Sequence, residues 1–404
     1  MQKSHYKNDL NIWFIILGVW LVYFCFGFTV NSVAPLVPFI TEDLNITYKE
    51  MGLILGAWQF IYIFFALPAG IFVDKYGLKI SIFISAIIIT LSLLFRGFSE
   101  SFFYMWLAVA LFGVGGPLIS VSAPKTALIW SNQKNRIISM GILLTGPFIG
   151  GICSLSLTNT IMMPLMNNNW NYVFYSYSLL PLLSAILWLI IYNVFWNKDF
   201  DNNTQAIKSN ISHTLKLLIN KKRYILVIFV GIIIMYLVHG ISGWMPKILS
   251  SKGINISYAS NLATIPVIIG IISALSVPRF SNSKNRLKII FLLFINVMLS
   301  MQFIKYSESY LYMFGLCFIG ISTGSLMTLL ISHLSDTKDI SFSNIGIASG
   351  LFYSIIQIGG VLGPYSIGII YDLTQDFNNA LTFNILVTLL SFLPLYLLAK
   401  LKNL

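Results

Sequence analysis

One histidine and a small set of amides and hydroxyls are the side chains that could do chemistry inside the apolar runs of this chain. His239 lies near the middle of such a run, where a titratable group is costly and usually lines a cavity or binds a ligand. Imidazole is also the side chain whose ordinary proton exchange falls near physiological pH. Every Asp and Glu, in contrast, lies in a polar stretch or at the edge of an apolar run. A cationic ligand would therefore lack a buried counter-ion, and the pattern favours a neutral or anionic one.

Other polar and aromatic side chains occupy comparable positions in apolar runs and could line the same cavity. These candidates are Tyr23, Asn31, Gln59, Tyr236, Ser322, Thr323 and Gln357. For His239 the alternative is a buried histidine that is satisfied by a neighbouring helix.

The usual signatures of enzymes are absent from the sequence. It has no Gly-rich phosphate-binding loop followed by Lys-Ser or Lys-Thr, no metal-ligand cluster and no nucleophile with a base at a suitable spacing. Cys25, Cys153 and Cys317 are far apart within apolar runs, so they predict packing residues and no disulfide framework. We therefore expect neither an enzyme nor a cofactor or metal.

The composition predicts a polytopic helical membrane protein. Of the 404 residues 57% are apolar and 9% charged, and the mean hydropathy is +0.82. Runs of about 20 apolar residues, each long enough to cross a bilayer as a helix, recur almost end to end. We predict twelve spans, at residues 11–39, 51–73, 80–99, 102–128, 137–162, 171–195, 224–249, 259–279, 288–305, 309–332, 345–371 and 378–400.

The distribution of basic residues predicts the orientation of the spans. A polar linker, 196–223, separates a six-span N-terminal bundle, 1–195, from a six-span C-terminal bundle, 224–404. The termini, the linker and the loops on their side hold 20 Lys and Arg, whereas the opposite loops hold 5. By the positive-inside rule both termini should be cytoplasmic, and the net charge of +12 needs no nucleic-acid partner.

The two bundles also repeat each other in sequence. The run Leu44 to Tyr48 recurs 210 positions later as Ile254 to Tyr258. At nearly the same offset, the pair Gly150-Gly151 corresponds to Gly359-Gly360. Duplicated halves with a binding site near the bilayer midplane are typical of secondary transporters.

A charged hairpin between spans 2 and 3 carries the most specific motif. Its residues Gly70, Asp74, Lys75, Gly77 and Lys79 fit the pattern G-x-x-x-D-x-x-G-x-K. Glycine at 77 would permit a turn, glycine at 70 would let a helix approach closely, and the carboxylate could face a helix N-terminus or pair with a base. The motif resembles the signature of the major facilitator superfamily, which implies two six-helix halves, alternating access and a gating role for this loop. A solvated turn is the alternative.

The resemblance also implies that spans 1, 4, 7 and 10 line a central cavity, which favours Asn31, His239 and the span-10 hydroxyls. In span 5, Gly146, Pro147, Gly150 and Gly151 predict close helix packing and resemble the motif of family antiporters. Because span 11 repeats the glycine pair, the motif alone does not indicate export.

The fourth span departs from the drug-exporter pattern of the family. Where those relatives often carry an arginine before Gly-x-Gly, this chain has Val109. The run from Ala123 to Thr126, followed by Trp130 and Arg136, is instead weakly similar to the anion-type, nitrate and cyanate permease-like branches. Lys125, Arg96 and Arg279 are accordingly candidates to attract anions, with snorkelling at the membrane surface as the alternative.

We therefore predict an all-α integral membrane transporter of the cell or inner membrane. Its partners would be the lipid bilayer and a small neutral or anionic organic solute, with protons or a counter-anion as the open coupling partners, and we expect a monomer. A drug-type proton antiporter and a non-transporting membrane sensor on the same scaffold are the alternatives.

Overall fold

The computed structural model describes residues 3–131, 135–195, 221–306, 310–335 and 345–402. This described part of the chain is helical and contains no β-strand. The predicted linker, 196–223, lies outside it except for its last three residues. In an apolar solvent a helix satisfies its backbone groups internally, which is why long apolar runs adopt this structure.

The described residues up to Phe195 form seven helices. They are α1 (Lys3–Asn31), α2 (Val37–Asp43), α3 (Tyr48–Gly97), α4 (Phe102–Trp130), α5 (Arg136–Leu157), the short α6 (Met163–Leu165) and α7 (Trp170–Phe195). A 3₁₀ turn at Ala34–Leu36 precedes α2, and a π-helical turn at Thr158–Met162 joins α5 to α6.

From Lys221 onwards, the part of the chain that the structure describes forms eight further helices. They are α8 (Lys222–Ser250), α9 (Ile256–Leu262), α10 (Ile265–Ser276), α11 (Arg286–Lys305), α12 (Leu311–Ser335), α13 (Ile345–Thr374), α14 (Phe377–Leu389) and α15 (Phe392–Lys402). A 3₁₀ turn at Val277–Phe280 follows α10.

Helix α3 contains two of the predicted spans. Its 50 residues would measure about 75 Å as one straight helix, more than twice the thickness of a bilayer core. Gly77 interrupts it with a φ of 76° and a ψ of 174°, a conformation that glycine adopts without a steric penalty. The described residues contain 11 helical stretches that are long and apolar enough to span a membrane, and this break divides one of them.

By its contacts the chain divides into two compact units. The first contains residues up to Ser32 together with those from Phe64 through α7, and the second contains Val33–Ile63 together with α8 to α15. The start of α3 is thus in the same unit as the C-terminal helices. The division of the sequence into bundles at 1–195 and 224–404 stays a prediction.

Helices α1 and α5 pack backbone to backbone within the first unit. A Cβ added to Gly146 would lie 3.2 Å from the backbone nitrogen of Phe24, and one added to Gly27 would overlap the backbone of Pro147. Gly150 is equally constrained, with the nitrogen of Phe28 2.7 Å from its added Cβ. Small residues let helices approach closely in a membrane, so this contact depends on them.

Candidate functional site

The second unit contains a similar glycine contact, between α8 and α13. A Cβ added to Gly359 would lie 2.8 Å from the nitrogen of Tyr236, and one added to Gly363 would lie 3.0 Å from the nitrogen of Gly240. The two backbones therefore touch over more than one turn. This contact fixes the side chains that α8 and α13 present next to it.

Three polar side chains meet around Gly360, which lies between Gly359 and Gly363 on α13. A Cβ at position 360 would lie 2.9 Å from Cγ of Gln59, 3.0 Å from Oε1 of Gln357 and 3.2 Å from Cδ2 of His239. They come from α3, α13 and α8, and the three residues are more than a hundred positions apart in sequence. All three are among the residues that the sequence singled out, and we call them, with Gly360, the Gly360 cluster.

The two glutamines of the Gly360 cluster are buried with unsatisfied carbonyls. Gln59 is 1% exposed and Gln357 6% exposed, and Oε1 of each has no hydrogen-bond partner in the described part of the chain. A buried polar atom without a partner costs about 1–3 kcal/mol, so such atoms are rare and often have a functional reason. A bound polar solute would supply the missing donors.

An aromatic wall lies beside the cluster. The rings of Trp58 and His239 meet edge to face, with 5.3 Å between centroids and 86° between planes. Tyr62 packs against Trp58 in a similar way at 6.0 Å. Next to His239 on α8, the hydroxyl of Tyr236 lies 2.5 Å from Oγ of Ser366. Indole, imidazole and amide groups together can bind a solute that has both an apolar face and hydroxyls.

The α12 hydroxyls that the sequence placed in a cavity have other partners. Ser322 donates to the carbonyl oxygen of Leu293 at 2.9 Å and accepts from Nδ2 of Asn296 at 2.8 Å, so it packs against α11. Thr323 donates to the carbonyl of Ile319, one turn earlier in its own helix. The face of α12 that lines a cavity could not be read from composition, because its hydroxyl residues fall on more than one side of the helix.

The predicted cavity residues of α1 lie in the first unit. Asn31 donates from Nδ2 to the carbonyl of Gly27 at 3.1 Å, and the same nitrogen lies 2.6 Å from a Cβ added to Gly151. The ring of Tyr23 lies 5.7 Å from that of Phe26. Asn31 thus faces the α5 glycine pair, in the same way as His239 faces the α13 pair.

Arg96 is buried, which the sequence did not lead us to expect. It is 1% exposed, and its Nη1 donates to the carbonyl oxygen of Thr29 at 3.1 Å and to Oγ of Ser32 at 2.9 Å. Because α1 ends at Asn31, the carbonyl of Thr29 lies in its last turn, where it also accepts from the hydroxyl of Ser32 at 2.9 Å. A cation also complements the negative end of a helix dipole. The snorkelling alternative is therefore wrong, and Arg96 caps α1.

The charged hairpin contains an ion pair. Nζ of Lys125 lies 2.6 Å from Oδ1 of Asp74, with the side chains 22% and 56% exposed. Of the two partners that the sequence allowed for Asp74, the structure shows the base. The same pair compensates the charge of Lys125, which was expected to attract anions.

The remaining hairpin residues differ in their surroundings. Lys79 donates to Oδ1 of Asn193 at 2.6 Å, and Nζ of Lys75 lies 5.1 Å from the ring centroid of Tyr76. A Cβ at Gly70 would meet no atom within 4 Å, so the close helix approach that we expected there is wrong. Among the basic candidates, Arg279 is exposed in the 3₁₀ turn after α10.

Sequence reasoning did not identify Trp58 or Gly360 as parts of a site. Trp58 immediately precedes Gln59 but reads as one of many aromatic residues in an apolar helix. Gly360 was recognised only as half of a repeated packing pair. That its side of α13 faces a histidine follows from the relative rotation of three helices, which no local pattern encodes.

Comparison with known families and structures gives consistent results. The family profile described as Major Facilitator Superfamily matches residues 19–364. A structure titled as a bacterial homologue of the human lysosomal transporter Spinster, in an inward-facing and unoccupied conformation, aligns with a TM-score of 0.74 at 12% identity, over 98% of this chain and 97% of the other. At that identity the likeness shows the fold alone.

Two curated relatives cover most of the chain. The hexuronate transporter of Bacillus subtilis is 23% identical over 87% of this chain and 86% of its own length. The probable galactarate/D-glucarate transporter GudP of Escherichia coli is 22% identical over 88% of this chain and 87% of its own length.

Proposed function

Because the chain belongs to the Major Facilitator Superfamily and is a membrane transporter of small solutes by alternating access, we propose that its solutes are sugar acids. Such solutes carry several hydroxyls and one or two carboxylates. The support is the chemistry of the Gly360 cluster, together with the sugar-acid solutes in the names of two relatives.

The Gly360 cluster supplies groups of the right kind for a polyhydroxylated anion. The amides of Gln59 and Gln357 can each donate to and accept from a hydroxyl, and their free Oε1 atoms are the observation that carries this assignment. His239 can neutralise a carboxylate when it is protonated and so couple transport to protons. The sequence places no Asp or Glu deep in a span, which disfavours lipophilic cations.

The experiment is uptake by purified protein in liposomes. We expect radiolabelled glucuronate, galacturonate or glucarate to accumulate in exchange for, or down a gradient of, the same solute. The neutral parent sugars and a lipophilic cation are the matched competitors. Inhibition by sugar acids and not by the neutral sugars supports the proposal, and uptake of the cation alone contradicts it.

We further propose that both termini face the cytoplasm and that the protein works as a monomer. The support for the orientation is the excess of Lys and Arg on the side of the termini. Labelling of a cysteine introduced at Lys3 or Lys402 from the cytoplasmic side alone is expected. Labelling from the outside would reverse the assignment.

A further inference from the structure

We propose that Asp372 is the latch of a gate at the start of α3. Its carboxylate accepts from the backbone N–H of Tyr48 at 3.1 Å and from that of Lys49 at 2.7 Å, across 324 and 323 residues of sequence. Asp372 lies near the end of α13, in the same compact unit as Val33–Ile63. The latch rests on alternating access and not on the identity of the solute.

At the start of α3, the amides of Tyr48 and Lys49 find their partner in Asp372, whereas the neighbouring groups are satisfied locally. Thr47 and Glu50 form a capping box, in which Oγ1 of Thr47 accepts from the amide of Glu50 at 3.2 Å and the Glu50 carboxylate accepts from the amide of Thr47 at 2.8 Å. The amides of Tyr48 and Lys49 have no partner in their own helix. Asp372 therefore completes the cap from a distant part of the chain.

The interaction is favourable for two physical reasons. A carboxylate at a helix N-terminus is stabilised by the helix dipole, and its bonds to amides are charge-assisted. Both effects disappear when the two helix ends separate, because water then solvates the amides and the carboxylate independently. A contact of this kind is either made or broken, as a gate requires.

Helices α3 and α13 stay closely packed beyond the capped end. The ring of Tyr48 lies 4.3 Å from that of Tyr371 and 5.8 Å from that of Trp244. A Cβ at Gly368 would overlap the carbonyl of Tyr48, and one at Gly52 would lie 2.6 Å from the carbonyl oxygen of Pro364. The capped end is thus one end of a seam between α3 and α13 that continues towards the Gly360 cluster.

The second copy of the repeated sequence has a local cap at the start of its helix. There Oδ1 of Asn255 accepts from the amide of Ser257 at 2.9 Å, a cap within two residues. The corresponding Asn45 in the first copy has a left-handed φ of 48°. The repeated sequence can therefore start a helix with a local cap. We infer that the carboxylate of Asp372 has a role beyond capping α3.

In alternating access a solute site opens to one side of the membrane at a time. Gln59 belongs to the segment that Asp372 holds, and His239 and Gln357 belong to helices of the C-terminal half. Separation of the start of α3 from α13 would uncover the Gly360 cluster from this end. Asp372 is then a positioning residue for the closed state of this gate, and it does not touch the solute.

The test uses electron paramagnetic resonance, without solute, to measure how many molecules have the start of α3 close to α13 and how many have the two separated. Spin labels replace the exposed Lys49 and Leu373 in a chain whose Cys25, Cys153 and Cys317 are changed to Ala, held in lipid nanodiscs. We expect Asp372→Ala to raise the ratio of separated to paired labels about tenfold, because two charge-assisted bonds are lost. Asp372→Asn, which keeps one acceptor oxygen, should lie between.

The matched control is Asp376→Ala. Asp376 lies four residues further along and caps its own helix through the amide of Asn378 at 2.8 Å, so the label distances should stay as in the parent. Equal distributions in the Asp372→Ala variant and the parent would overturn the latch. A single broadened distribution would do the same, since it reports a frayed helix end and not a gate. Failure of sugar-acid uptake would leave this result untouched, because no solute is present.

Discussion

The two units use equivalent glycine pairs in the same packing role and surround them with different chemistry. In the first unit Gly151 faces Asn31, whose amide is bonded to the backbone of its own helix. In the second, Gly360 faces His239 and two glutamines with free carbonyls. The glycine contact is therefore common to both units, whereas a histidine and two glutamines with unpartnered carbonyls lie beside it in the second unit.

The largest effect on uptake is expected when Gly360 is changed to alanine, and the same change at Gly151 is the comparison. Gly360→Ala should lower uptake by at least about tenfold, because its Cβ would lie 2.9 to 3.2 Å from three cluster side chains, and shifting them costs roughly 1–3 kcal/mol. Gly151→Ala should reduce uptake less, since only the terminal amide of Asn31 must move. Uptake and thermal unfolding are measured for both variants. Equal losses of uptake would remove the distinction between the two sites.

The glutamines allow a test in which stability and uptake change in opposite directions. Gln357→Met keeps the length of the side chain and removes the unsatisfied carbonyl, so the melting temperature should stay or rise. The KM for the solute should increase about tenfold, which corresponds to one lost hydrogen bond to the solute. Thr323→Val, at a hydroxyl bonded within its own helix, is the control. An unchanged KM would make Gln357 a packing residue.

His239→Ala should lower uptake or flatten its pH dependence while the folded yield is retained. The imidazole is the titratable side chain of the cluster. Asn31→Ala, at the comparable position of the first unit, should leave the shape of the pH profile unchanged. Uptake by the His239 variant that matches the parent at every pH would return this residue to a structural role.

The smallest effect on stability is expected at the exposed hairpin. Asp74→Asn breaks an ion pair that is partly open to solvent, so the free energy of unfolding should change by about 1 kcal/mol or less. The rate of solute exchange should fall more than the binding affinity does, because the hairpin is expected to time the gate. Lys125→Gln should reproduce the result. Equal loss of binding and exchange would mean that the hairpin shapes the fold.

The sequence predicted the parts of this molecule that depend on local physics. Apolar runs of bilayer length gave the helices, and Gly77 marked the break in α3 because that backbone conformation penalises any side chain. The repeated glycine pairs indicated close helix contacts. The structure shows such contacts for Gly150 of α5 against α1 and for Gly359 of α13 against α8. The family followed from the hairpin motif and the duplication.

Tertiary structure alone decided which polar residues face each other. Ser322 and His239 looked equally suitable in sequence, yet Ser322 is bonded to α11 and His239 meets Gln59 and Gln357. Arg96 lies near a helix end in sequence but turns inward to cap α1, and Asp372 caps a helix more than three hundred residues away. In a chain this apolar, hydropathy fixes where helices begin and end, but their rotation about their own axes is set by packing between small residues, and that rotation places the chemistry.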